Sequence, residues 1–239
     1  MSEEAIYSID DILLMLDSLL KEPKQWWDGY YSDRSRECPF FVNIPDENLD
    51  FYFGDGRMKR GRVLELGCGP GRNAIYLARQ GCNVDAVDIS SQAIQWAQER
   101  ARDSGLEINF VCQSVFDLQV ETSTYDIVYD SGCFHHIPPH RRMSYIELVR
   151  NALKPDGLFG LVCFTLEGGF GLSDWEVYRQ RRLGGGLGYS EERLWRTFER
   201  QFEILEFRRM KEMESDSGLF GKAFLWAILM RQRFLSDPC

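Results

Sequence analysis

The sequence has no C-x-x-C pair, no apolar run of membrane-spanning length and no excess of positive charge. Its seven cysteines (Cys38, Cys68, Cys82, Cys112, Cys133, Cys163 and Cys239) are odd in number, and several fall inside apolar stretches. That usage predicts reduced thiols in a cytoplasmic protein, not a disulfide framework or a thiolate zinc site. Lacking a run of about 20 apolar residues, the chain is not expected to span a bilayer. The opening MSEEAIYSIDD is acidic and has no basic n-region, so no signal peptide is expected. The 28 Lys and Arg residues are outnumbered by 37 Asp and Glu, a formal charge of −9. That balance argues against a nucleic-acid backbone or an anionic membrane as the main partner. The basic cluster Arg141, Arg142 and Arg150 is expected on a solvated helix face. Histidine is scarce too: only His135, His136 and His140, all in one segment. H-H-x-x-x-H with no acidic or thiolate partner at matching spacing predicts no metal centre.

What is present is enough for one α/β domain with an appendage: 239 residues, 44% of them apolar. The organising stretch is VLELGCGPGRNA, Val63 to Ala74. Val63, Leu64 and Leu66 read as a buried parallel strand. The strand runs into Gly67, Gly69 and Gly71, and then into the helical pattern Ala74, Ile75, Leu77, Ala78. Glycines at alternate positions allow a sharp turn and close approach of a ligand, so the unit reads as a nucleotide-type site at a helix N-terminus. The dinucleotide fingerprint G-x-G-x-x-G is not met, because Arg72 stands where its last glycine belongs. Glu65, two residues before the first glycine, would repel a pyrophosphate but suits a cationic amino group. Asn83–Asp88 reads as the next strand, ending in an acid placed to accept ribose hydroxyls. Ser90 and Ser91 are the better N-caps for the helix that follows.

Glu65, Gly67, Gly69 and Gly71 in this order resemble motif I of the class I S-adenosylmethionine-dependent methyltransferases. L-K-P-D-G (Leu153–Gly157) before an apolar strand resembles a second family motif, and the resemblance runs from about Arg62 to Arg231. It implies a doubly wound, mostly parallel seven-stranded sheet with a terminal antiparallel hairpin, here Phe202–Met210 and Lys222–Arg231. It also implies S-adenosylmethionine as cofactor. Glu65, Gly67, Cys68, Gly69 and Asn73 would lie on the methionine side, with Asp88 and Ile89 at the ribose. Ser114, Val115 and Phe116 would lie at the adenine. Ser114 stands where the family often has an acid, and either Asp117 supplies the missing acceptor or it caps a turn. Asp130 would emerge beside Gly67. The D-S-G-C run after it departs from the N/D-P-P-Y of the amino-methylating DNA and protein enzymes, which directs the reading to small-molecule acceptors.

Residues 1–60 are expected to form an N-terminal helical and aromatic cap, and residues 61–239 the cofactor-binding domain. Ser8–Leu20 has helical spacing with Ser8 as N-cap, followed by the rings Trp26, Trp27, Tyr30, Tyr31, Phe40 and Phe41. These rings either pack the cap onto the core or line the acceptor pocket. Trp27, Tyr31 and His135 are the acceptor-side candidates, with His135 as a base or as a packed imidazole. The W-D-x-x-Y-like cap before a compact core is loosely similar to the thiol, halide and tellurite branch of the superfamily. A glycine-rich insertion, residues 165–189, is expected to act as a lid. Pro139–Leu153 is expected to be helical, and Lys154–Gly157 a turn into the fifth strand. A nicotinamide oxidoreductase and a non-catalytic S-adenosylmethionine-binding subunit are the competing readings.

Overall fold

The structure is a computed structural model that describes residues 5–233. Cys239 and the first acidic residues of the chain lie outside them. Three helices come first: α1 (Ile9–Ser18), α2 (Pro23–Ser32) and α3 (Glu47–Gly54). Ser8 and Asp11 close a capping box on α1. None of the α1 residues is buried, and Ile9 is 75% exposed. Helical spacing of apolar residues therefore formed the helix without securing a buried face for it.

Alternation of strand and helix follows: β1 (Arg62–Leu66), α4 (Arg72–Arg79), β2 (Asn83–Asp88), α5 (Ser91–Asp103), β3 (Asn109–Cys112), β4 (Tyr125–Ser131), α6 (Arg142–Ala152), β5 (Leu153–Phe164), α7 (Asp174–Gln180), α8 (Glu191–Phe198), β6 (Phe202–Arg209) and β7 (Leu225–Gln232). The strands form one seven-stranded sheet in the order β3-β2-β1-β4-β5-β7-β6. Strands β1 to β5 run parallel to one another, while β7 runs antiparallel between β5 and β6. This is the doubly wound sheet with a terminal antiparallel hairpin that the sequence predicts. The strand order turns back between β1 and β4, and the crevice outside their carboxyl ends is where an α/β sheet binds ligands.

Alternating side chains divide the core between the two faces of the sheet. Leu64, Leu66, Val128, Phe159 and Leu161 pack with Tyr145, Ile146 and Val149 of α6 and Phe198 of α8. Val63, Ala86, Ile127, Tyr129 and Leu229 pack with Leu49 and Tyr52 of α3 and Ala74 and Leu77 of α4. Both layers are needed to bury a mostly parallel sheet.

Three expectations are corrected. The helix expected over Pro139–Leu153 is a short 3-10 turn, Pro139–Arg141, followed by α6. Lys154–Gly157 lies within β5 as a bulge, because pairing with β4 jumps from Tyr125–Leu153 to Ile127–Leu158 and Asp156 is left-handed. Arg142 is not on a solvated face. It is 8% exposed, and its Nε and Nη1 donate to the Tyr189 hydroxyl and to Asp174. Its neighbour Arg141 pairs with Asp17 of α1.

Insertion 165–189 is ordered around α7 and tied down at its base. Thr165 and Tyr189 bridge, as do Phe170 and Leu187, and the Leu187 N–H donates to the His135 carbonyl at 2.8 Å. Among the described residues no helix is long and apolar enough to cross a membrane.

Candidate active site

The glycine turn lies at the carboxyl end of β1. Gly67, Gly69 and Gly71 all have positive φ, and the Cys68 N–H donates to the Val87 carbonyl at 2.9 Å, locking the loop to β2. At Gly67 a Cβ would stand 2.5 Å from Cys133 Cβ, so a side chain is excluded by space as well as by its φ of 68°. Gly67→Ala is expected to lower unfolding stability by about 2–3 kcal/mol, measured by urea denaturation. A loss below about 0.5 kcal/mol would show that the loop moves aside at little cost.

Glu65 is 2% exposed, and its Oε2 has no hydrogen-bond partner. Burial pushes its carboxyl well above the usual range, and the Arg72 guanidinium pulls in the other direction. An orphaned buried acceptor is costly, which marks this atom as the place for a missing donor. Asp88 closes β2, and burial raises its pKa to about 6 against the lowering effect of the Ser90, Gly69 and Ile89 backbone donors. The Gly69 N–H donates to its Oδ2 and the Ser90 N–H to its Oδ1, both at 2.8 Å. Ser90 caps α5 with its own hydroxyl, leaving Asp88 at the ligand crevice. Ile89 beside it is half-buried.

At the adenine side the three candidates divide. Ser114 caps a 3-10 turn by accepting the Phe116 N–H, and Val115 is buried in the main core. Phe116 is half-buried beneath the Arg141 guanidinium at 5.3 Å, and Asp117 is exposed. Phe116 therefore keeps part of its ring exposed, while Val115 is spent on packing.

Sequence reasoning missed a buried polar cluster. Asp46, just before α3, is 0% exposed and stands 2.6 Å from Arg72 Nη1. It also accepts from the Tyr129 hydroxyl at 2.8 Å and from Asn73 Nδ2 at 2.9 Å. Asn73 Oδ1 accepts the Asp46 N–H in return. Asn73, expected at the cofactor, thus holds the N-terminal segment to α4. Arg72, met in the sequence only as a departure from a dinucleotide motif, also donates to Ser131 Oγ at 3.0 Å. The Tyr129 hydroxyl between Val128 and Asp130 of β4 was the available signal.

The end of β4 departs furthest from expectation. Asp130 is fully buried, and its carboxylate accepts from the N–H groups of Cys133 and Phe134 and from the Tyr145 hydroxyl. Burial raises its pKa to about 7 despite those donors. Its carboxylate is committed to the turn rather than turned to a ligand. His135 stacks on Phe164 at 3.8 Å, and its Nδ1 accepts the Phe164 N–H at 3.3 Å. Burial, with His136 second, holds its pKa well below the usual value, so it is a neutral imidazole with its proton on Nε2. That is the packed arrangement of the two considered. His136 is half-buried, held neutral to about 4 by burial, and meets the Trp27 ring edge-on at 4.7 Å. Tyr31, expected beside the acceptor, stands over the glycine loop instead, since a Cβ on Gly69 would be 3.0 Å from its hydroxyl. His140 is drawn away to Asp17 and Tyr178.

Residues 63–157 match the family described as methyltransferase domain. This segment is a class I S-adenosylmethionine-dependent methyltransferase domain. Over 136 residues it is 29% identical to the ubiquinone biosynthesis O-methyltransferase of Cronobacter sakazakii, covering 56% of this chain and 53% of that protein. The chain therefore spans about half the length of the curated relatives it matches. Among solved structures, a SAM-dependent methyltransferase of Methanosarcina mazei is 25% identical, with a TM-score of 0.60 over 77% of this chain and 97% of that one. The 1,6-didemethyltoxoflavin-N1-methyltransferase of Burkholderia thailandensis, solved with its acceptor and S-adenosylhomocysteine, shares the fold at 18% identity. Its TM-score is 0.63 over 96% of this chain and 92% of that one. The methyltransferase reading of the glycine loop is upheld over the nicotinamide one.

Proposed function

We propose that this chain transfers a methyl group from S-adenosylmethionine to a small-molecule acceptor, as an enzyme of the cytoplasm with no nucleic-acid or membrane partner. The observation that carries the reading is the buried, donor-less Oε2 of Glu65 beside the glycine turn, which fits the cofactor's ammonium. Gly69 offers backbone where a side chain would clash, and Asp88 retains lone pairs for the ribose hydroxyls. When bound, the cofactor supplies an electrophilic methyl on a sulfonium, so the protein's task is alignment and exclusion of water. Trp27 and His136 would form the acceptor wall, with His135 setting the position of its neighbour from behind. The cap of residues 1–60 and the insertion 165–189 would cover the crevice, the insertion as a lid.

With both imidazoles held neutral, the acceptor would be uncharged or already nucleophilic. The direct assay follows S-adenosylhomocysteine release with a panel of thiols, phenols and amines. Release above the acceptor-free background with one class supports the proposal. Background rates throughout, in a protein that binds the cofactor, would favour the non-catalytic subunit.

Asp88 gives the proposal a pH signature. Its folded pKa is raised to about 6, so the acid keeps its proton over a window where an exposed one would lose it. That contributes stability below about pH 4, which fades as pH rises through 6. Cofactor affinity has the opposite slope, because the ionised form is the acceptor. Titrations with S-adenosylhomocysteine are expected to give a plateau above about pH 7 and a loss of about tenfold per unit well below pH 6. Asp88→Asn should flatten this profile, and an unchanged slope would remove Asp88 from the site.

A further inference from the structure

Helix α2 touches the cofactor crevice at two points three residues apart, and so on one face of the helix. The first point is Tyr31, whose hydroxyl stands over Gly69. The second is Asp28, the acid of the W-D-x-x-Y-like run, to which the sequence assigned no role. Its Oδ1 accepts from Ser90 Oγ at 2.8 Å, Ser91 Oγ at 3.1 Å and the Gln92 N–H at 3.4 Å, all from the start of α5. Its Oδ2 takes only Lys24 Nζ of its own helix, at 2.7 Å. The two oxygens therefore have separate tasks: one docks the helix and the other pairs within it.

These contacts close a ring. Ser90, held by Asp28 through its hydroxyl, donates its N–H to Asp88 Oδ1. Asp88 Oδ2 accepts the Gly69 N–H, and Gly69 faces Tyr31, back on α2. Cap helix, α5, the end of β2 and the glycine loop are thus linked around the carboxylate assigned to the ribose. Burial alone would raise the Asp28 pKa, but Lys24, the two serines and the Gln92 N–H bring it to about 2. The docking oxygen is consequently available throughout the working pH range. Trp27 stacks on Tyr31 at 5.7 Å, so whatever fixes the Tyr31 ring also fixes the acceptor-side ring.

We propose that Asp28 is a positioning residue of the cofactor site: through its Oδ1 it docks α2 on the first turn of α5, which sets Tyr31 over the glycine loop and closes the outer wall around the bound cofactor. The inference rests on the crevice being the S-adenosylmethionine site. Asp28 touches no reacting atom. It acts through Tyr31 and through the Ser90–Asp88 link, so its loss opens the wall while every side chain assigned to the cofactor remains, with Asp88 relieved of a charge that raises its pKa.

The two oxygens dictate the variants. Asp28→Ala removes the docking acceptor, whereas Asp28→Asn keeps Oδ1 and loses only the charge facing Lys24. Two readouts are taken on the full chain: S-adenosylhomocysteine dissociation by stopped-flow Trp fluorescence, and hydrogen exchange of α2 amides without ligand. Asp28→Ala is expected to release S-adenosylhomocysteine about tenfold faster and to exchange its α2 amides faster. Asp28→Asn should stay within about threefold of wild type in both. Ser91→Ala, which removes one of the three donors, should shift both in the same direction by less, and it serves in place of Asp28→Ala if that protein does not fold. Wild-type release and exchange rates in Asp28→Ala would overturn the proposal. Equal acceleration in Asp28→Ala and Asp28→Asn would also overturn it, by assigning the effect to charge. If the wild type fails to bind S-adenosylhomocysteine while α2 exchange responds as expected, the docking stands and the cofactor reading falls.

Discussion

Asp88→Ala is expected to weaken S-adenosylhomocysteine binding by about one hundredfold, or about 2.7 kcal/mol. The magnitude follows from removing a charged acceptor, worth about 1.5–3 kcal/mol per hydrogen bond, from hydroxyls that gain no replacement in a closed crevice. Part of the loss is indirect, because the Gly69 and Ser90 N–H groups also lose their acceptor. Asp88→Asn separates the two effects. It retains an oxygen for one backbone donor but carries no charge, so it should lie between alanine and wild type. Calorimetry on the three proteins measures this directly. A dissociation constant for Asp88→Ala within twofold of wild type would remove the carboxylate from the cofactor site.

Arg72→Ala is expected to cost about 3–5 kcal/mol of unfolding stability, the largest effect of any single truncation near the crevice. The reason is what it leaves behind. Asp46 is 0% exposed, and with the guanidinium gone its charge would be held only by Tyr129 and Asn73. Glu65 would lose the guanidinium that lowers its pKa and rise further. Asp46→Asn should offset part of the deficit in the Arg72→Ala background, because it removes the unpaired charge while keeping an acceptor. Urea denaturation of the four proteins of that cycle gives the coupling. Additive losses would show that the two residues do not act as a pair.

Much of the architecture was legible because local signals agreed with one another. Apolar runs ending in glycine or aspartate placed β1 and β2. Ser8 and Ser90 marked their helix starts correctly. Illegible were contacts made across long sequence separations. Asp46 and Tyr129 are 83 residues apart and joined by a hydrogen bond, a relation that no periodicity encodes. Asn73 and Asp130 carry the right residue types at the right places, yet their side chains are committed to the protein's own backbone and side chains. The docking role of Asp28 was hidden for the same reason, since its partners begin 62 residues later. The double histidine announced a special segment, but the roles divided only with Phe164 stacked on one ring and Trp27 set against the other.

The most direct test of the account is calorimetric titration of the purified chain with S-adenosylhomocysteine and, in parallel, with NADH. The site described here, with the donor-less Glu65 oxygen, the side-chain-free turn at Gly69 and Asp88, predicts saturable binding of S-adenosylhomocysteine at one site per chain and no heat from NADH. Binding of NADH alone would contradict it and return Asp88 to a dinucleotide.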